Sequence, residues 1–245
     1  MTFEPWQWVL AVAAALFVGV SKTGITGLGM LSVAIFAQLM PSKQATGIVL
    51  PLLCFGDLIA VASYRQHAQW RHLWRLFPWT AAGVVLGFFA MGRMNENQAR
   101  LLVGGIVVSL VGLHVVRRRR GVAGHETEHG AWFAPTIGVL AGFTTLVANA
   151  AGPLMAIYLL AMRLPKMEYM GTGAVFFMLL NWFKLPFMVN LGLINAGSFS
   201  LNLWLAPAVF AGAWLGRKML VKLNQRVFEN LALGLSAVAG LKLLL

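Results

Sequence analysis

The sequence predicts an all-α polytopic membrane protein with two repeats of opposite orientation. Three observations lead to this prediction: an apolar composition, apolar segments that fill nearly the whole chain, and an internal repeat. Of 245 residues, 59% are hydrophobic and 11% are charged, whereas a soluble domain carries about 25% charged residues. Apolar segments long enough to cross a bilayer leave no room for a soluble domain.

The second half of the chain repeats the first. A shift of 124 places Pro41 on Pro165 and Asp57 on Asn181, and internal repeats of this kind are frequent in transporters. Each half is predicted to hold a broken helix or helical hairpin and three transmembrane helices. The first repeat covers 1–120 (broken segment 5–40; helices 44–64, 76–92 and 99–117), a cytoplasmic linker covers 121–130, and the second repeat covers 131–245 (broken segment 132–164; helices 167–190, 203–220 and 226–244).

Two runs of small residues, at 21–29 and 144–153, interrupt the first apolar segment of each half. The apolar pieces 28–40 and 152–164 are 13 residues each, which is roughly 20 Å of helix. That length is too short for a hydrocarbon core of about 30 Å. Irregular backbone at such a depth is tolerated only where it lines a cavity or is buried in protein. The two breaks are therefore the first candidates for a functional site.

Loop charges predict the orientation of the halves. Each half makes an odd number of passes, so the second half begins on the other side of the membrane. With the N-terminus outside, 13 of the 19 basic residues, including the arginine run at 117–120, fall in inside loops and four fall outside. This bias predicts a multi-pass protein of the cell inner (cytoplasmic) membrane with both termini periplasmic. It also explains the net charge of +12 without nucleic acid, for which no binding motif is present.

The breaks suggest a site for an anion. The N-terminal ends of the short helices would present free N–H groups and a positive dipole end. The predicted substrate-binding residues are Lys22, Thr23, Gly24, Thr26, Gly27, Gly29, Asn149, Ala150, Ala151, Gly152, Pro153, Asn181 and Lys184. Asp57 is assigned either to proton coupling or to charge pairing. Three alternatives stay open: Lys22 reaches a nearby surface, Lys184 pairs with Asp57, and the glycines only pack helices.

An enzyme is not expected, and neither a cofactor nor a metal is predicted. The deep titratable groups, Lys22, Cys54, Asp57 and Lys184, contain no nucleophile–base pair and no set of metal ligands. The histidines and glutamates at 125–129 are interpreted as part of a solvated loop. Cys54 is the only cysteine, so no disulfide can form within the chain.

Four features of the sequence resemble the TauE/SafE sulfite exporter family (TSUP): the glycine pattern at 24, 27 and 29, the proline at 41, the apolar helix with Pro51, and the second copy at 149–153. The resemblance covers nearly the whole chain. It implies a membrane transporter that exports sulfite, organosulfonates or related small sulfur-containing anions. The two predicted inverted halves and their breaks predict that transport occurs by alternating access around a mid-membrane site between the breaks. Two alternatives remain: an anion channel of the same architecture, and a transporter of another small organic anion. The expected partners are the anion and the lipid bilayer, and a homodimer is left open.

Overall fold

The computed structural model describes residues 4–25, 28–119 and 130–244, and in these ranges the regular structure is helical, without strands. Ten α-helices and one short 3₁₀ turn, Arg65–His67 between α3 and α4, follow one another. The helices are α1 (Pro5–Thr23), α2 (Leu28–Leu39), α3 (Ser42–Tyr64), α4 (Trp70–Met91), α5 (Glu96–Arg119), α6 (Phe133–Ala148), α7 (Ala151–Ala161), α8 (Lys166–Asn190), α9 (Ala196–Lys222) and α10 (Gln225–Leu244). The predicted all-α class is confirmed.

Six helices of the described ranges, α1, α3, α4, α5, α8 and α9, are long and apolar enough to cross a membrane. Their outer faces carry large exposed apolar side chains, among them Trp74, Trp204 and Phe89. Exposed apolar surface on this scale would be unfavourable in water but is expected where helices face lipid. The chain is therefore a multi-pass membrane protein.

Both broken segments form helical hairpins. In the first, Phe36 of α2 belongs to one buried cluster with Ala11 and Ala15 of α1, so α2 runs back along α1. In the second, the ring of Phe133, the first residue of α6, stacks on Tyr158 of α7 with 5.7 Å between ring centroids. Each short helix consequently begins at the tip of its hairpin. We call the residues around 21–29 the first tip and those around 144–153 the second tip.

Each half of the chain packs one of its helices against the other half in an equivalent contact. The first arm of each hairpin packs against a long helix of the other half: α1 against α9, and α6 against α4. At each contact a glycine lies against a backbone carbonyl of the other helix: Gly19 against that of Val209, and Gly142 against that of Thr80. A Cβ added at either glycine would lie closer than 3 Å to the carbonyl oxygen it faces. Val209 and Thr80 are related by a shift of 129. The same close helix approach therefore occurs twice, which supports the predicted repeat.

The equivalent helices α3 and α8 pack together and run in opposite directions. Gly47 near the start of α3 lies against Leu193, just after α8, and Gly171 near the start of α8 lies against Tyr64 at the end of α3. Gly47 and Gly171 are related by the shift of 124. The antiparallel pairing of equivalent helices supports halves of opposite orientation.

Two helices begin earlier than the hydropathy pattern indicates. The pattern predicts a helix at 76–92 in the first half, but α4 begins at Trp70 and includes Arg71 and Arg75. Likewise α9 begins at 196 rather than 203, because Asn195 and Ser198 cap each other's backbone N–H groups. Hydropathy marks only the lipid-facing length of a helix, and these helices continue beyond it. The predicted linker lies outside the described residues, apart from its last glycine.

Candidate functional site

The tips of the two hairpins meet at one cavity. Centres of water-sized spheres can occupy about 80 Å³ of it, and one buried water needs about 10–15 Å³ on this measure. The cavity therefore has room for a few waters or one small anion. It is lined by Ser21, Lys22, Gly29, Val33, Leu53, Thr145, Asn149, Gly152, Met155, Leu159, Tyr169, Met170, Gly173, Ala174, Phe177 and Asn181.

Lys22 stands in the last turn of α1, at the first tip. Its Nζ lies 2.6 Å from Oδ1 of Asp57, and the Lys22 side chain is only 9% exposed. The same Nζ lies 4.6 Å from the centre of the Phe177 ring, a distance typical of a cation–π contact. The proposal that Lys22 reaches a nearby surface is wrong: its charge is held inside the protein by a carboxylate and an aromatic face. Asn181 completes the pair by donating from Nδ2 to Oδ2 of Asp57 over 2.6 Å.

The second tip turns at Asn149, which has a left-handed backbone conformation (φ 51°). The N–H of Asn149 donates to the carbonyl of Thr145 and that of Ala150 to the carbonyl of Thr144, as at helix ends that stop on a left-handed residue. Asparagine is one of the few residues that adopts this conformation at low cost. The side chain of Asn149 also donates to the carbonyl of Thr46 in α3. These bonds fix the position from which α7 starts.

Lys184 is fully buried in α8. Its Nζ donates to the carbonyl of Thr145 (3.0 Å), to the hydroxyl of Thr145 (3.1 Å) and to Oδ1 of Asn149. A cation at the C-terminal end of α6 also interacts favourably with the helix dipole. The alternative in which Lys184 pairs with Asp57 is therefore wrong. Lys184 does not line the cavity; it holds the two polar side chains of the second tip that do.

The starts of both short helices contribute backbone to the cavity. Gly152, in the first turn of α7, lines it, and a Cβ at this position would meet no atom within 4 Å. Gly29, in the first turn of α2, also lines it, and a Cβ there would lie 3.1 Å from the hydroxyl of Ser21. First-turn N–H groups have no partner within their own helix, and they form the positive end of the dipole. The cavity is thus electropositive at both tips.

Several predicted site residues do not line the cavity. The hydroxyl of Thr23 donates to the carbonyl of Ala213 over 2.6 Å, and Tyr64 donates to the carbonyl of Thr23, so Thr23 joins helices. Gly24 faces the backbone of Gly216, a packing role. Three residues of the second tip, Ala150, Ala151 and Pro153, are buried beside the cavity. Thr26 and Gly27 lie outside the described residues.

The sequence reasoning missed six lining residues outside or at the edge of the predicted breaks, Ser21, Val33, Leu53, Met155, Leu159 and Tyr169. It also missed one wall of the cavity, the face of α8 formed by Met170, Gly173, Ala174 and Phe177. These positions precede Asn181 at intervals of three and four residues, the spacing of one helix face. Extending the helical period backwards from Asn181 would have found them. Within the described ranges, no group of three His, Cys, Asp or Glu residues is able to hold a metal ion.

The family model described as "Sulfite exporter TauE/SafE" matches residues 11–243. No curated protein and no solved structure gives a significant match. The matched range contains the cavity and all ten helices except the first six residues of α1 and the last residue of α10. The family consists of membrane transporters, and this chain belongs to the TauE/SafE sulfite exporter family.

Proposed function

We propose that this protein exports small sulfur-containing anions, such as sulfite or organosulfonates, across the cell inner membrane. The observation that carries the proposal is the meeting of two hairpin tips at one cavity. Each tip presents the N-terminal end of a short helix, an arrangement that binds anions in many proteins and that transporters use near the membrane midplane.

The lining of the cavity suits an oxyanion with or without a short carbon group. Ser21, Thr145, Asn149 and Asn181 offer polar side chains, and the first turns of α2 and α7 offer N–H groups. A sulfite or sulfonate group has three oxygens that accept such bonds. Apolar side chains such as Met155 form the rest of the wall. An organosulfonate can place its carbon atoms there while its oxygens face the tips.

An asymmetry between the halves supports alternating access. Leu53 and Phe177, which the repeat aligns, both line the cavity. Beyond Phe177 the cavity continues along α8 past Gly173, whereas the aligned position on α3, Val49, does not line it. Beyond this level the cavity thus extends along α8 but not along α3. If the two halves exchanged conformations, the cavity would extend along α3 instead and reach the opposite side of the membrane.

The placement of basic residues supports both termini lying outside. The side chain of Lys166 at the start of α8 donates to the carbonyl of Leu220 near the end of α9. The N–H of Gln69, before α4, donates to the hydroxyl of Thr172 near the start of α8. These contacts bring the basic starts of α4 and α8 and the basic end of α9 to one face of the protein. By the positive-inside rule that face is cytoplasmic.

An anion panel tests the proposal. We expect sulfite, thiosulfate, sulfate or sulfoacetate to raise the melting temperature of the purified protein in proportion to the logarithm of anion concentration. In proteoliposomes we expect saturable uptake and counterflow of the stabilising anion. Large unitary currents without counterflow would indicate an anion channel instead. The absence of stabilisation by every anion of the panel would contradict the proposed substrate class.

A further inference from the structure

Three charged side chains lie at or beside the cavity: the positive Lys22 and Lys184, and the negative Asp57. Lys22 and Asp57 form an ion pair with 2.6 Å between Nζ and Oδ1. Lys184 is bound by neutral oxygen atoms only. The second oxygen of Asp57 accepts a hydrogen bond from Asn181, and the first contacts the Lys22 ammonium as an ion pair without a hydrogen bond; both contacts favour the ionised carboxylate. We call Lys22, Asp57 and Lys184 the cluster. With Asp57 ionised and both lysines protonated, the cluster carries one net positive charge.

We infer that the site binds one negative charge while Asp57 is ionised, and that a divalent anion binds together with one proton, which Asp57 accepts. The inference rests on the proposed function, because it specifies the charge of the anion at the same site. Uncompensated charge is highly unfavourable in the interior of a membrane protein. A monovalent anion neutralises the cluster. A divalent anion leaves one excess negative charge unless a proton accompanies it.

Asp57 is the group able to accept that proton. Its direct partners are Lys22 from α1 and Asn181 from α8, while Lys184 from α8 and Cys54, one turn earlier on α3, interact with it only electrostatically. Among the described residues, no other acidic side chain contacts either lysine. A proton that enters from cavity water forms an O–H bond on the Asp57 carboxylate. Lys22, which lines the cavity, then loses its ionic partner, and its Nζ can bind an oxygen of the anion.

The test compares two anions that do not titrate between pH 6 and 8: methanesulfonate, with one charge, and sulfate, with two. Binding to the purified wild-type protein is measured by calorimetry in buffers of different ionisation heat. We expect the Kd of sulfate to rise by up to about tenfold per pH unit, the limit for one linked proton. The change of the binding heat with the ionisation heat of the buffer should show that about one proton is taken up with each sulfate. With methanesulfonate the Kd should stay within about twofold and no proton should be taken up.

Two variants assign the proton. Asp57→Asn removes the group that accepts the proton and with it one negative charge, so sulfate binding should become independent of pH and at pH 8 be at least about tenfold tighter than in the wild type. Glu168→Gln removes a carboxylate in the first turn of α8 and should keep the wild-type pH dependence. If Asp57→Asn does not fold, the proton uptake measured with the wild-type protein decides whether the inference holds.

The outcomes separate this inference from the proposed function. If both anions bind with the same pH dependence, or sulfate binds without proton uptake, the inference fails and anion transport stands. Retention of the sulfate pH dependence in Asp57→Asn would also overturn it. If no anion of either charge binds, the proposed function fails and the inference with it.

Discussion

Replacing Lys184 by methionine removes the buried cation of the second tip while keeping a side chain of similar length. The Nζ of Lys184 contacts Oδ1 of Asn149, and Asn149 lines the cavity. An anion in contact with Asn149 would therefore lie about 6 Å from the positive charge. At that distance, and with an effective dielectric constant of about 20, the attraction is about 2.8 kcal/mol. We expect Lys184→Met to weaken anion binding by about 100-fold.

The variant should also lose some stability, for a reason visible in the contacts. The carbonyl of Thr145 keeps its bond from the N–H of Asn149, so it stays satisfied without Lys184. Oδ1 of the half-buried Asn149 loses its donor, and an unsatisfied acceptor costs about 1–3 kcal/mol, less where cavity water replaces the lost bond. For a chain of this size that loss lowers the melting temperature by about 2–12 °C. The protein should remain folded at room temperature.

The assay is anion titration followed by thermal unfolding and calorimetry, with Lys218→Met as the matched control. Lys218 is exposed and lies over the ring of Trp214 on the outer surface of α9, so its loss changes the net charge equally but away from the cavity. The control should bind the anion with wild-type affinity. A folded Lys184→Met protein that also binds with wild-type affinity would refute the electrostatic role given to Lys184.

Three further predictions test other parts of the structure. Gly152→Leu should fill the cavity at the start of α7 and abolish transport with little change in melting temperature. The control Gly234→Leu, at an exposed glycine of α10 with equally open space, should transport normally. Transport by both variants would contradict the assigned position of the anion. Gly142→Ala should lower the melting temperature by several degrees, because a Cβ there overlaps the backbone of α4; unchanged stability would argue against the close contact of α4 and α6. Cysteines introduced by Glu4→Cys and Leu244→Cys should both react with an impermeant thiol reagent added outside the cell, and reaction of only one would contradict inverted halves.

Composition, hydropathy and small-residue runs determined the class of the protein. These signals are local, because a lipid environment requires a long apolar helix wherever the chain crosses it. The same signals located both breaks, since runs such as the one ending at Gly29 combine weak helix formers with a following apolar piece too short to cross. The repeat predicted from sequence aligns Asp57 with Asn181, and the structure brings these two side chains into direct contact.

Tertiary structure decided which partner each deep charge has. Lys22 and Lys184 are both lysines in apolar segments, and nothing nearby in the sequence assigns Asp57 to one rather than the other. The first pairs with Asp57, whereas the second binds Thr145 and Asn149, which are 39 and 35 residues away along the chain. These pairings depend on how the hairpins fold back and how α3 crosses α8. Such packing arises from contacts between distant segments, which hydropathy and residue spacing do not encode.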